Sequence, residues 1–173
     1  MEKNGFSARK LTLGGILLAL SVIVLYFATS LPTSRLSLYA LSSFFVSVIV
    51  MEAGVKTGWL YYISSSLLSF FLLHNKAALV PYIVFFGVYG IVKYYVEKID
   101  KPVFEYVLKL VYFNVCVAAA YVFIKEVFLE SIEIKFPWPV ALILLQVIFI
   151  VYDYVYTLFI RYYDRKLKKM LRV

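Results

Sequence analysis

Residues 139–160 read PVALILLQVIFIVYDYVYTLFI, an apolar run broken by one charged side chain, Asp153. An α-helix rises about 1.5 Å per residue, so about 20 residues of this kind cross the roughly 30 Å of bilayer hydrocarbon. Working outward from this run, apolar stretches separated by short polar clusters recur at 11–31, 36–50, 59–73, 77–95 and 103–124. With 139–160 they predict an all-α, polytopic membrane protein of six transmembrane helices in a single integral membrane domain covering 1–173. The stretches at 36–50 and 59–73 are short. As a re-entrant pair they would carry Glu52 and Lys56 deep into lipid at a few kcal/mol each, so two full crossings are the better expectation.

Composition agrees with that solvent. The 173 residues are 64% apolar and 16% charged, against roughly 45–50% and about 25% in soluble domains. Mean hydropathy is +0.88. Function classes fall away on the same count. One cysteine, Cys116, allows neither a disulfide framework nor a thiolate metal site. One histidine, His74, excludes two-histidine zinc motifs, and no glycine-rich loop ends in the Lys-Ser/Thr that would cradle a nucleotide phosphate. Neither a metal nor another cofactor is expected. Paired aspartates in facing helices and a nucleophile with an adjacent base are lacking too, so an enzyme is not expected. A pI near 9.4 would suit nucleic acid, but the cations flank apolar spans, where lipid attraction and topology explain them better.

Alternate loops divide the cations unequally. Lys3, Arg9, Lys10, Lys56, Lys93, Lys98, Lys101, Arg161, Arg165, Lys166, Lys168, Lys169 and Arg172 fall on one side, and Arg35, Lys76, Lys125 and Lys135 on the other. The positive-inside rule places the first set, and both termini, in the cytoplasm. The first run resembles a secretory signal with Ala28-Thr29-Ser30 as a cleavage site, but its length favours an uncleaved helix. Residues 125–135, with Glu126, Glu130 and Glu133, read either as an outer amphipathic turn or as a solvated loop.

Within the spans, Lys109 and Asp153 lie at matching depth, about 10 Å from the cytoplasmic ends of their helices. Buried charges are tolerated when paired, so the two are expected to meet, with Glu105 as a competing partner for Lys109. Asn114 and Gln146 are candidates for an interhelical hydrogen bond. Gly15 and Ala19 form a small-xxx-small pair that lets helix backbones approach closely, against either another helix of this chain or a partner. Gly54 and Gly58 share that spacing but flank a charged turn, where loop geometry is the expected reason. On the outer side, Arg35, His74, Asn75 and Trp138 offer a cation, an imidazole, an amide and an aromatic ring, a set able to orient a small polar or anionic solute. Each alone is commonly an ordinary loop or interface residue.

Arg9-Lys10-Leu11-Thr12, the Gly15-x-x-x-Ala19 helix and the Leu31-Pro32 exit together resemble the first helix of the substrate-binding S components of energy-coupling factor transporters, small six-helix bacterial membrane proteins. Phe85-Phe86-Gly87-Val88-Tyr89 with Lys93 resembles a stretch in bacterial membrane proteins near that group. The family's small-residue motif is usually Ala-x-x-x-Ala, from which Gly15 departs. The resemblance implies capture of a vitamin or micronutrient near the outer face, and association through Gly15 and Ala19 with a transmembrane coupling subunit driven by separate ATPases. The alternative is a noncatalytic membrane scaffold or assembly protein that docks partners through the same Gly/Ala face and its basic tail.

Overall fold

The computed structural model describes residues 8–127 and 138–167. Six α-helices follow in order: α1 (Ala8–Ser30), α2 (Arg35–Ala53), α3 (Val55–Leu72), α4 (Gly87–Glu97), α5 (Pro102–Val127) and α6 (Trp138–Tyr162). Among the described residues there is no strand. Among the described residues five stretches are long and apolar enough to cross a membrane: Lys10–Ser30, Arg35–Ala53, Ala77–Glu97, Pro102–Glu126 and Pro139–Lys166. In α3, Ser64, Ser65, Ser66 and Ser69 lower the average apolarity, yet Ser65 and Ser69 are buried while Leu60, Ile63, Leu67 and Phe71 are exposed. Its outward face is therefore apolar, although the helix as a whole is less so than the five stretches above. The chain divides into two compact units between Val92 and Lys93, inside α4.

The first unit is built on α1, α2 and α3, which pack against one another. A short 3-10 turn, Pro32–Ser34, joins α1 to α2. One residue, Gly54, joins α2 to α3, at φ 87° and ψ 168°. That backbone region is essentially restricted to glycine. Four residues on, Gly58 is buried, and a Cβ there would lie 2.5 Å from Val50 Cγ2. Gly54 thus serves the turn, as expected, whereas Gly58 serves close packing of α3 on α2, contrary to the loop role expected for it. The apolar core beside them comprises Val46, Ile49, Val50, Tyr61 and Ile91, with Leu17, Leu18 and Phe45 packed around it.

Polar side chains fasten this unit through hydroxyls. The Tyr61 hydroxyl donates to the Leu17 carbonyl at 2.7 Å and lies 2.6 Å from Ser21 Oγ. A phenol carries one hydrogen, so Ser21 is the donor of the second bond. By the same count Tyr82 donates to Ser65 Oγ at 2.8 Å, because Ser65 spends its own hydrogen on the Tyr62 carbonyl. Interhelical bonds of this kind contribute about 0.6 kcal/mol each in a membrane protein.

Residues 77–95, expected as one regular helix, are instead a 3-10 turn (Ala77–Leu79), a π-helical turn (Tyr82–Phe86) and then α4. Pro81 has no N–H to give Ala77, and the Val80 N–H takes that carbonyl instead. Gly87 donates five residues back, to the Tyr82 carbonyl. The Ile83 carbonyl accepts from the Tyr62 hydroxyl at 2.7 Å. Gly87 is required here, since a Cβ would meet the Tyr62 ring at 2.7 and 2.8 Å.

The second unit contains the last turn of α4, then α5 and α6, with a π-helical turn at Tyr163–Leu167. Pro102 opens α5, where its missing N–H costs little. Phe113 and Phe149 stack with centroids 4.5 Å apart, and Gln146 Nε2 donates to Asn114 Oδ1 at 2.9 Å. Val107, Val111 and Val115 on α5 and Val147, Ile150 and Tyr154 on α6 are exposed, an apolar surface of the kind that a bilayer covers.

Candidate functional site

Polar chemistry gathers at two places, one in each unit, and they differ in whether their hydrogen-bonding capacity is used up. In the second unit Lys93 is fully buried. Its ammonium lies 2.5 Å from Asp153 Oδ1, 2.7 Å from Glu97 Oε1 and 2.8 Å from Thr157 Oγ1. Lys109 Nζ lies 2.8 Å from Glu97 Oε1 and 3.4 Å from Asp153 Oδ2. Two lysines and two carboxylates from α4, α5 and α6 thus alternate in a closed ring. Lys93 has three ammonium protons and three acceptors. Thr157 in turn donates to the Asp153 carbonyl at 2.8 Å. Only Glu97, about a third exposed, opens on the surface.

The ring brings together Lys109 and Asp153 and adds two members that sequence reasoning misplaced or missed. Lys93, counted above among the inner cations although it falls inside the expected span 77–95, is a buried residue of α4, and it leaves the tally of solvated inner cations. Glu97 joins Asp153 as the second carboxylate on Lys109, where Glu105 was the competing candidate. The spacing Lys93-x-x-x-Glu97 sets both on one helix face, a signal available in the sequence. Thr157 carried no signal. Its role depends on a lysine on another helix.

The other place is the end of the first unit where α1 and α3 finish and α2 begins. Arg35 is the first residue of α2 and is half-buried. Its Nε is buried and has no hydrogen-bond partner among the described residues. One turn on, the buried Tyr39 donates its hydroxyl to the Ala78 carbonyl. The Ala78 N–H donates to Asn75 Oδ1 at 2.9 Å. Arg35 and Asn75 therefore share one end, connected through Tyr39 and Ala78. His74 and Lys76 flank Asn75 and are exposed, with Lys76 Nζ 4.7 Å from the Phe70 ring centroid. On the last turn of α3, Ser69 is fully buried and its Oγ also lacks a partner among the described residues. Tyr39 and Ser69 were not singled out from sequence, because an isolated hydroxyl in an apolar run carries no sign of what faces it.

Trp138 opens α6 in the second unit, and its side chain is outside the described set, as are Lys135, Pro137 and most of the 125–135 segment. Gly15 and Ala19 are both exposed on α1, and a Cβ built at Gly15 meets nothing within 4 Å. Among the described residues no group of His, Cys, Asp and Glu is arranged to hold a metal ion. No protein-family model, curated protein or solved structure matches this chain.

Proposed function

We propose that the chain is the solute-capture membrane subunit of a vitamin or micronutrient importer, powered by ATPase subunits on separate chains, with both termini in the cytoplasm and the Arg35 end outside. The observation that carries this reading is the pair of buried polar atoms, Arg35 Nε and Ser69 Oγ, left without partners among the described residues at one end of a helical unit in which Ser42 Oγ and Ser66 Oγ are likewise buried and unpartnered. A buried donor without an acceptor costs about 1–3 kcal/mol, a cost that a bound solute would offset. The charge ring competes poorly for the role, because its charges already neutralise one another and all three protons of Lys93 have acceptors.

The exposed Gly15 and Ala19 face supports docking of a second membrane chain, the coupling subunit in this reading. It supports equally a noncatalytic scaffold, which would dock partners without capturing any solute. Mass spectrometry of small molecules released from the purified protein separates the two. Release of one compound at near-stoichiometric amount is the result expected of a capture subunit, and a preparation that binds partners while releasing nothing favours the scaffold.

A further inference from the structure

Arg35 is placed against three physical preferences at once. It stands in the first turn of α2, where the helix macrodipole already presents about half a positive charge and disfavours a cation. It is half-buried, with Nε shut off from water and no acceptor among the described residues. Nor does a carboxylate neutralise it among the described residues of its own unit. Between residues 8 and 92 the one acidic residue is Glu52, about 25 Å away at the other end of α2. Lys76 and His74 follow the C-terminus of α3, where cations are at home. Arg35 has no such reason. A buried serine hydroxyl, Ser69, waits unpartnered on the last turn of α3 at the same end.

We propose that this end of the first unit is an oxyanion site in which the Arg35 guanidinium takes a carboxylate or phosphate group of the captured solute, Ser69 offering a hydroxyl to the same molecule. An oxyanion supplies what the site lacks: negative charge at the positive end of α2, and acceptors for the planar N–H fork. The assignment rests on the solute-capture reading and narrows it to anionic solutes. A lipid headgroup phosphate shares this chemistry, so the test separates the two sources.

The full chain is placed in phosphatidylcholine nanodiscs, and its thermal unfolding is followed against inorganic phosphate, and separately citrate, at constant ionic strength. The midpoint should rise saturably with at least one anion. Arg35→Gln should abolish the rise, and Arg35→Lys should weaken the apparent affinity by about tenfold, keeping charge but losing the fork. Lys56→Gln, at the opposite end of the unit, should leave the response intact. If Arg35→Gln does not fold, the Arg35→Lys titration decides, and an affinity equal to that of the unaltered protein overturns the site. Absence of any anion response, or one that persists in Arg35→Gln, overturns it as well. Stabilisation by phosphatidylglycerol nanodiscs but by neither soluble anion assigns the site to lipid and overturns the solute class. A neutral compound released equally from the unaltered protein and Arg35→Gln overturns the anion assignment while leaving the capture reading standing. An Arg35-dependent anion response in a protein that releases no small molecule supports the site and removes the capture reading.

Discussion

Lys93 and Asp153, sixty positions apart in the chain, meet at 2.5 Å between Nζ and Oδ1, and each is almost completely withdrawn from solvent. Burial of two charges is repaid only when both are paired and hydrogen-bonded, and here every proton of the ammonium has an acceptor. The pair ties α4 to α6, while Lys109 brings α5 into the same arrangement.

Asp153→Asn should therefore destabilise the protein by ~3–5 kcal/mol, since it leaves two buried lysines facing a single carboxylate. Combining Lys93→Met with Asp153→Leu should cost less than the two single changes added together. Thermal unfolding in detergent across the full cycle measures this, and additivity would show that the two charges do not interact.

Gly58→Ala should lower stability by ~1–3 kcal/mol by forcing a methyl onto Val50. Val50→Ala removes the obstructing Cγ2, so the double variant should recover part of the loss. A double variant no more stable than Gly58→Ala alone would place the cost elsewhere than in the approach of α3 to α2.

Tyr62→Phe deletes the hydroxyl that satisfies the Ile83 carbonyl while leaving the ring over Gly87. The expected loss is about 1 kcal/mol, with faster amide exchange confined to residues 82–87 in hydrogen-exchange mass spectrometry. Unchanged exchange there would show that the π-helical turn does not depend on this bond.

Gly15→Leu with Ala19→Leu should leave thermal stability nearly unchanged, because both positions are exposed, and, on the function proposed above, should abolish copurification with the proposed coupling subunit. Retained copurification would place the docking face on another helix.

In a Cys116→Ser background, Lys76→Cys should react with an impermeant thiol reagent added to intact cells, and Lys56→Cys only after the cells are opened. The reverse pattern would invert the topology proposed above.

Apolar length is a local property, which is why the spans were legible. The expected 11–31 and 139–160 are the observed Ala8–Ser30 and Trp138–Tyr162 with small shifts at the ends. The stretch expected at 36–50 runs on to Ala53, since Glu52 does not stop a helix and Gly54 does. Hydrogen-bond register is not written in hydropathy, so the departure from α-helix around Pro81 and Gly87 went unseen, although both residues stood in plain view. At the candidate site Arg35 and Asn75 were legible by residue type. Their connection through Tyr39 and Ala78 was not, because it depends on a contact across 39 positions. Lys93 shows the same limit from the other side: the charge count treats it as an inner cation near the end of a span, and only a carboxylate on a distant helix accounts for its burial.

The ring of Lys93, Glu97, Lys109 and Asp153 sums to zero when all four groups are ionised. A membrane potential acts on net charge, with about 2.3 kcal/mol per elementary charge carried across 100 mV. As a neutral block, the ring can shift along the bilayer normal with its helices without performing electrical work. Rearrangements that carry only this ring through the field should therefore proceed at the same rate in polarised and depolarised vesicles. Asp153→Asn, which leaves one uncompensated positive charge, should make them voltage-sensitive.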